Sequence, residues 1–149
     1  MSKYHNPNLS LPEIFNVVAK MEGTVDDKAK FLKMYGRRDM LWFVNFLYNV
    51  NKEGLTIPDY TPSRKPVGLN YMTILNAINQ LQGCIDHRNN PNVYSRNLQR
   101  VLESVSADEA ELLVRAFSGQ KVEGVSKAVF KRAFPGYFPG NESHDLELV

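Results

Sequence analysis

The sequence predicts an all-α protein, a compact single domain of about seven short helices. Three observations carry this prediction. Apolar residues recur at helical spacing almost throughout, Ser/Thr-x-x-Glu/Asp signatures introduce several of the recurrences, and no stretch alternates with the period of a strand. A chain of 149 residues, 43% apolar and 23% charged, is long enough to bury a core of ordinary globular composition.

The elements follow in order. Ser10-Leu-Pro-Glu13 is a capping box with proline in the first turn, leading into Ile14, Val17, Val18 and Met21, and Gly23 ends that helix. Thr24-Val-Asp-Asp27 reads as a second cap, for a helix through Phe31, Leu32 and Tyr35 to Gly36. Asp39 is expected to cap a third helix, MLWFVNFLYNV. Its apolar residues lie on most sides, so Trp42, Phe43, Phe46 and Leu47 read as core rather than a base-stacking platform. Residues 51–69 hold three prolines and two glycines and form a long loop.

Asn70 is expected to begin a fourth helix with Ile74, Leu75, Ile78 and Leu81 as one stripe, and HRNNPN at 87–92 is a break. Leu98, Val101, Leu102 and Val105 mark a fifth helix. Ser106-Ala-Asp-Glu109, another capping box, opens a sixth through Leu112, Leu113, Ala116 and Phe117, and a short seventh lies between Ser126 and Phe134. The domain is expected to span residues 1–139, with 140–149 a loose acidic tail.

Composition excludes several function classes. No apolar run approaches the ~20 residues of a membrane span, and the first residues lack the apolar middle of a secretion signal. One cysteine, Cys84, leaves no internal disulfide and fits a reducing cytoplasm. His5, His87 and His144 stand in loops or termini without metal-ligand spacing, so no metal, no cofactor and no catalytic residue is expected. Cys84, after Gly83, reads as a packed small residue. Lys20-Met-Glu-Gly23 and Lys121-Val-Glu-Gly124 are each one change from the K-x-D-G of nucleotidyl-transferring lysines. That chemistry needs a pocket formed by β-sheets, so both read as turn sequences.

The basic residues are the remaining signal. With Ser126 as a cap, about 100° per residue puts Val129, Phe130, Ala133 and Phe134 on one apolar arc, with Lys127 and Lys131 side by side just outside it and Arg132 farther round. Gly124 allows close approach to the backbone and Lys121 stands three residues before it. Arg64 and Lys65 form a basic tip in the proline-rich loop. Such a set suits sequence-independent phosphate contacts. Spacing alone fits a solvated lysine face equally, and that is the commoner outcome; a net charge of +2 does not decide between them.

The order of elements from Leu11 to Pro139 resembles the N-terminal DNA-binding domain of T-even-type phage ATP-dependent DNA ligases. The resemblance is carried by LPEIFNVVAKMEGTVDDKAKFLKMYGRRDMLWFVNFLYNV, by MTILNAINQLQ, and best by ADEAELLVRAFSGQKVEGVSKAVFKRAFPGYFP with its Gly124, Ser126, Phe134, Pro135, Gly136 and Pro139. In that family the all-helical domain grips duplex DNA around a nick through backbone contacts. The resemblance therefore implies phosphate contact at Gly124 and Ser126, with Lys127 and Lys131 as charge partners.

Two departures accompany the resemblance. The family places an arginine five residues before the turn glycine, where this chain has Gly119. Its catalytic domains follow this segment, whereas this sequence ends ten residues after Pro139. The expectation is a non-catalytic protein holding nicked or intact double-stranded DNA, a phage accessory factor for ligation, replication or repair in the host cytoplasm. The alternatives are a protein-interaction module on the same fold, binding a host protein or sliding clamp, and the DNA-binding part of a split ligase, with a catalytic subunit as partner.

Overall fold

The computed structural model describes residues 8–63 and 72–138. Arg64, Lys65, Asn70, His5, His144, Pro139 and the acidic tail lie outside the described residues. The described chain is all-helical: α1 (Leu11–Lys20), α2 (Val25–Lys33), α3 (Arg38–Asn49), α4 (Ile74–Asp86), α5 (Pro91–Ser104), α6 (Ala107–Phe117) and α7 (Lys127–Ala133), with a 3₁₀ turn at Pro135–Tyr137. Among the described residues the only extended pairing is an isolated bridge, Met72 with Val105.

The helices cluster into two compact units. The first comprises Met1–Val50 and Val122–Val149, and so contains α1, α2, α3 and α7; the second is Asn51–Lys121, with α4, α5 and α6.

In the first unit local chemistry sets the helix starts. The Ser10 hydroxyl accepts from Glu13 N while Glu13 returns a carboxylate to Ser10 N at 2.8 Å, and Thr24 and Asp27 repeat the exchange. Each such cap is worth about 1 kcal/mol because it satisfies backbone donors that have no helical partner. Asp39 does not cap α3. The N-cap is Arg37, and Asp39 lies in the first turn, where the Arg37 guanidinium donates to both its carboxylate oxygens at 3.1 Å. Asp39 Oδ1 also accepts the Met40 N–H at 2.9 Å, so the carboxylate serves the arginine and a first-turn backbone donor together.

The core of this unit is aromatic. Phe15 of α1 lies 5.5 Å from Phe43 of α3 and edge-on to Phe130 of α7 at 5.6 Å; Tyr48 meets Phe130 and Phe138 at 5.6 and 5.1 Å. Val129, Phe130, Ala133 and Phe134 are all buried, as the arc drawn from the sequence requires. Phe43, Phe46 and Leu47 are buried too, while Trp42 is half-buried and stacks on Phe46 at 5.2 Å.

In the second unit the expected boundaries move. Thr73, not Asn70, caps α4, its hydroxyl accepting from Asn76 N at 3.2 Å. Leu75 is 43% exposed, and Ala77, Cys84 and Ile85 complete the buried stripe instead. Pro91 is the first residue of α5 rather than part of a break, since proline at this position loses no hydrogen bond that a helix would make; Asn90 is the cap. Ser106 caps α6 as read, but the Glu109 carboxylate, buried at 4% exposure, accepts the Ile74 N–H and so ties the start of α4 to the start of α6.

The described part of the proline-rich loop is pinned to this unit by three side chains. Arg88 donates to the carbonyls of Asn51 and Glu53 at 2.6 and 2.9 Å, Tyr94 hydroxyl donates to the Thr56 carbonyl, and Glu103 accepts Thr61 N–H at 2.9 Å. Burial holds the Tyr94 hydroxyl well above its ordinary pKa, so it remains a donor throughout the accessible pH range.

Candidate nucleic-acid interface

The α7 surface in the first unit carries most of the residues singled out from the sequence. Ser126 Oγ accepts from Val129 N at 3.4 Å and caps the helix. Its own O–H has no acceptor among the described residues and is available to an anion. Lys127 is exposed, with Nζ 5.9 Å from the centre of the Tyr48 ring. Lys131, one turn on, is half-buried. Arg132 is different: it forms an ion pair with Asp26 of α2, both groups being mostly exposed.

Gly124 has a reason of its own. Its φ is +80°, and a Cβ built there would stand 2.5 Å from the Cβ of Ala19 in α1. The close approach that the sequence associates with a phosphate is thus an approach to α1, and glycine is required by packing. Gly23, which ends the other K-x-E-G stretch, is likewise at positive φ, +140°, and a Cβ there would meet Asp27 Oδ2 at 2.8 Å. Both stretches are turns.

Gly119, the departure from the ligase pattern, also has a local account. Its N–H donates to Ala116 O at 3.0 Å and the next N–H, of Gln120, to Arg115 O at 2.9 Å, with φ at +83°. This is the Schellman arrangement that ends α6, and it favours glycine over any side chain, arginine included.

Lys121 belongs to the second unit. Burial first, and then the positive charges of Lys121 and Arg88, bring the half-buried Lys52 ammonium down to about 8. Lys52 and Arg88 are the basic residues that the sequence did not point to. They lie in separate loops, and Arg88 spends its hydrogen bonds on backbone carbonyls, including Ile85 O at 3.2 Å, so no spacing rule joins the two. Among the described residues no group of three or more His, Cys, Asp or Glu side chains is placed to hold a metal ion, and no helix is long and apolar enough to cross a membrane. Cys84 is fully buried and its thiol is pushed up to about 11 by that burial, the opposite of an activated nucleophile.

Charge is unevenly shared. In the described part of the first unit lysines and arginines outnumber acids, whereas the second unit is near balance. The class of protein these observations define is an all-helical one with a basic helix face. No family model, no curated protein and no solved structure matches the chain.

Proposed function

We propose that the first unit binds the phosphate backbone of double-stranded DNA, nicked or intact, as a non-catalytic accessory to ligation, replication or repair. The observation that carries this reading is the α7 surface, where an exposed Lys127, Lys131 one turn on and the free Ser126 O–H share one turn and a half of helix. Lysine points and a hydroxyl donor contact phosphates without reading bases, so binding is sequence-independent and salt-sensitive. The likeness to the phage ligase domain supports the same surface. Lys121 belongs to the second unit, apart from the residues of the α7 surface.

The test is a salt titration of binding to nicked duplex, with intact duplex as control. The logarithm of affinity should fall with the logarithm of salt by about 0.9 per phosphate engaged. Replacing Lys127 and Lys131 together by glutamate should abolish binding; unchanged binding in that double variant would sink the surface assigned here.

A second reading, a protein-interaction module that keeps the fold, is favoured by specific observations. Arg132 is paired with Asp26, Glu123 stands in the same turn as Gly124, and Gly119 replaces the family arginine. Absence of duplex binding even at low salt, with specific capture of a protein partner, would decide for it. Restored nick sealing on mixing with a separately encoded catalytic chain would instead identify half of a split ligase.

A further inference from the structure

The second unit holds a groove of about 260 Å³ between α4 and α5. Gly83 and His87 line it from the α4 side, Asn97, Arg100 and Val101 from α5, and Met72 lies among them, held by its N–H to the Ser104 carbonyl at 3.0 Å. The lining is mainly apolar, with a few polar groups, which is the make-up of small-molecule sites.

Gly83 is the telling residue. It sits inside α4, where glycine is a poorer helix former than alanine. Its backbone is not in the left-handed region, and a Cβ added there meets no atom of the described residues within 4 Å. Neither conformation nor packing calls for glycine. Gly83 lines the groove and carries no side chain to narrow it.

The polar groups around that space have unused capacity. Arg100 is exposed, and no carboxylate among the described residues pairs with it. The Asn97 amide, half-buried, makes no side-chain hydrogen bond among the described residues. His87 Nδ1 lies 2.8 Å from the Gly83 carbonyl, which can only accept, so Nδ1 carries a proton in this contact.

We propose that this groove is a binding site for a small aromatic carboxylate. The flat ring lies over the bare Gly83 peptide, between Met72 and Val101, while Arg100 receives the carboxylate and Asn97 a further polar substituent. At about 260 Å³ the groove falls just below the roughly 300–1,000 Å³ of drug-sized ligand sites, so it suits a small ligand. The residues that line this site are none of those assigned to phosphate contact, and the proposal does not rest on the DNA-binding reading.

The test uses the full chain, isotopically labelled, titrated with indole-3-carboxylate and, in parallel, uncharged indole-3-carboxamide. The carboxylate should shift the Gly83, Asn97 and Val101 amide resonances saturably, and the carboxamide should bind about tenfold more weakly, the loss of one charge-assisted contact. Arg100→Gln should erase that preference. Gly83→Leu should abolish binding by filling the groove. Gly83→Ala, which keeps or improves folding, should weaken it by about threefold. No saturable shift up to the solubility limit overturns the proposal, as does binding unchanged in both Gly83 variants. Overhauser contacts from residues 64–71 to Gly83 in the free protein would also overturn it, by showing that the chain's own loop fills the space.

Discussion

Gly124 and Gly83 mark two regions that use the same residue for opposite reasons. In the turn before α7, glycine is forced: the backbone is left-handed and α1 leaves no room for a Cβ. In α4, no described residue forces it: the backbone is helical and no described atom lies within 4 Å of where a Cβ would stand. The glycine that the sequence associates with a ligand is a packing glycine, and the glycine inside the fourth helix opens a groove. A glycine's meaning is therefore set by what its missing side chain would touch, which a linear spacing does not contain.

The contrast can be broken most sharply at Gly124. Gly124→Ala combines a left-handed alanine with an overlap against Ala19, and should cost about 2–4 kcal/mol in urea unfolding. Stability close to wild type would remove the packing account and return Gly124 to the phosphate reading. Such a result would sharpen the DNA proposal rather than end it.

A smaller effect tests the burial of α4 beside the groove. The Cys84 thiol is raised by burial from 9.0 to about 11 in the folded protein. Between those values the folded state holds a proton that the unfolded chain has released. Stability from this group is therefore full below about pH 9 and is lost as pH rises toward 11, by at most about 1.4 kcal/mol per pH unit. Lys52 has the opposite sign: lowered from 10.5 to about 8, it costs stability below its folded value and ceases to do so as pH rises through that window. Unfolding followed from pH 8 to 11 should show a steeper alkaline loss for the wild type than for Cys84→Ala. Identical slopes would mean that the thiol is solvated.

The smallest expected change has the reverse direction. Gly83→Ala should stabilise the protein by about 0.5–1 kcal/mol, since alanine gains helix propensity and meets none of the described residues. Destabilisation would show that the residue is needed for packing after all, and would bring the two glycines into one class.

What the sequence by itself determined is short-range. The caps at Ser10, Thr24, Ser106 and Ser126 were legible because each is a bond between a side chain and a backbone three residues on. The apolar arc of α7 was legible for the same reason: helix geometry alone places Val129, Phe130, Ala133 and Phe134 together. Even the local misses have local causes, as at Asp39, whose carboxylate bonds to its neighbours from inside the first turn, and at Pro91, where a residue that breaks helices also starts them.

The tertiary structure alone decided the rest. It brought Ala19 against Gly124, paired Arg132 with Asp26 across a separation of 106 residues, set Lys121 and Arg88 where their charges act on Lys52, and lined one groove from two helices. None of these juxtapositions follows a period or a motif. They depend on which helix faces meet, and that is settled by the summed burial of many side chains rather than by any residue's immediate neighbours.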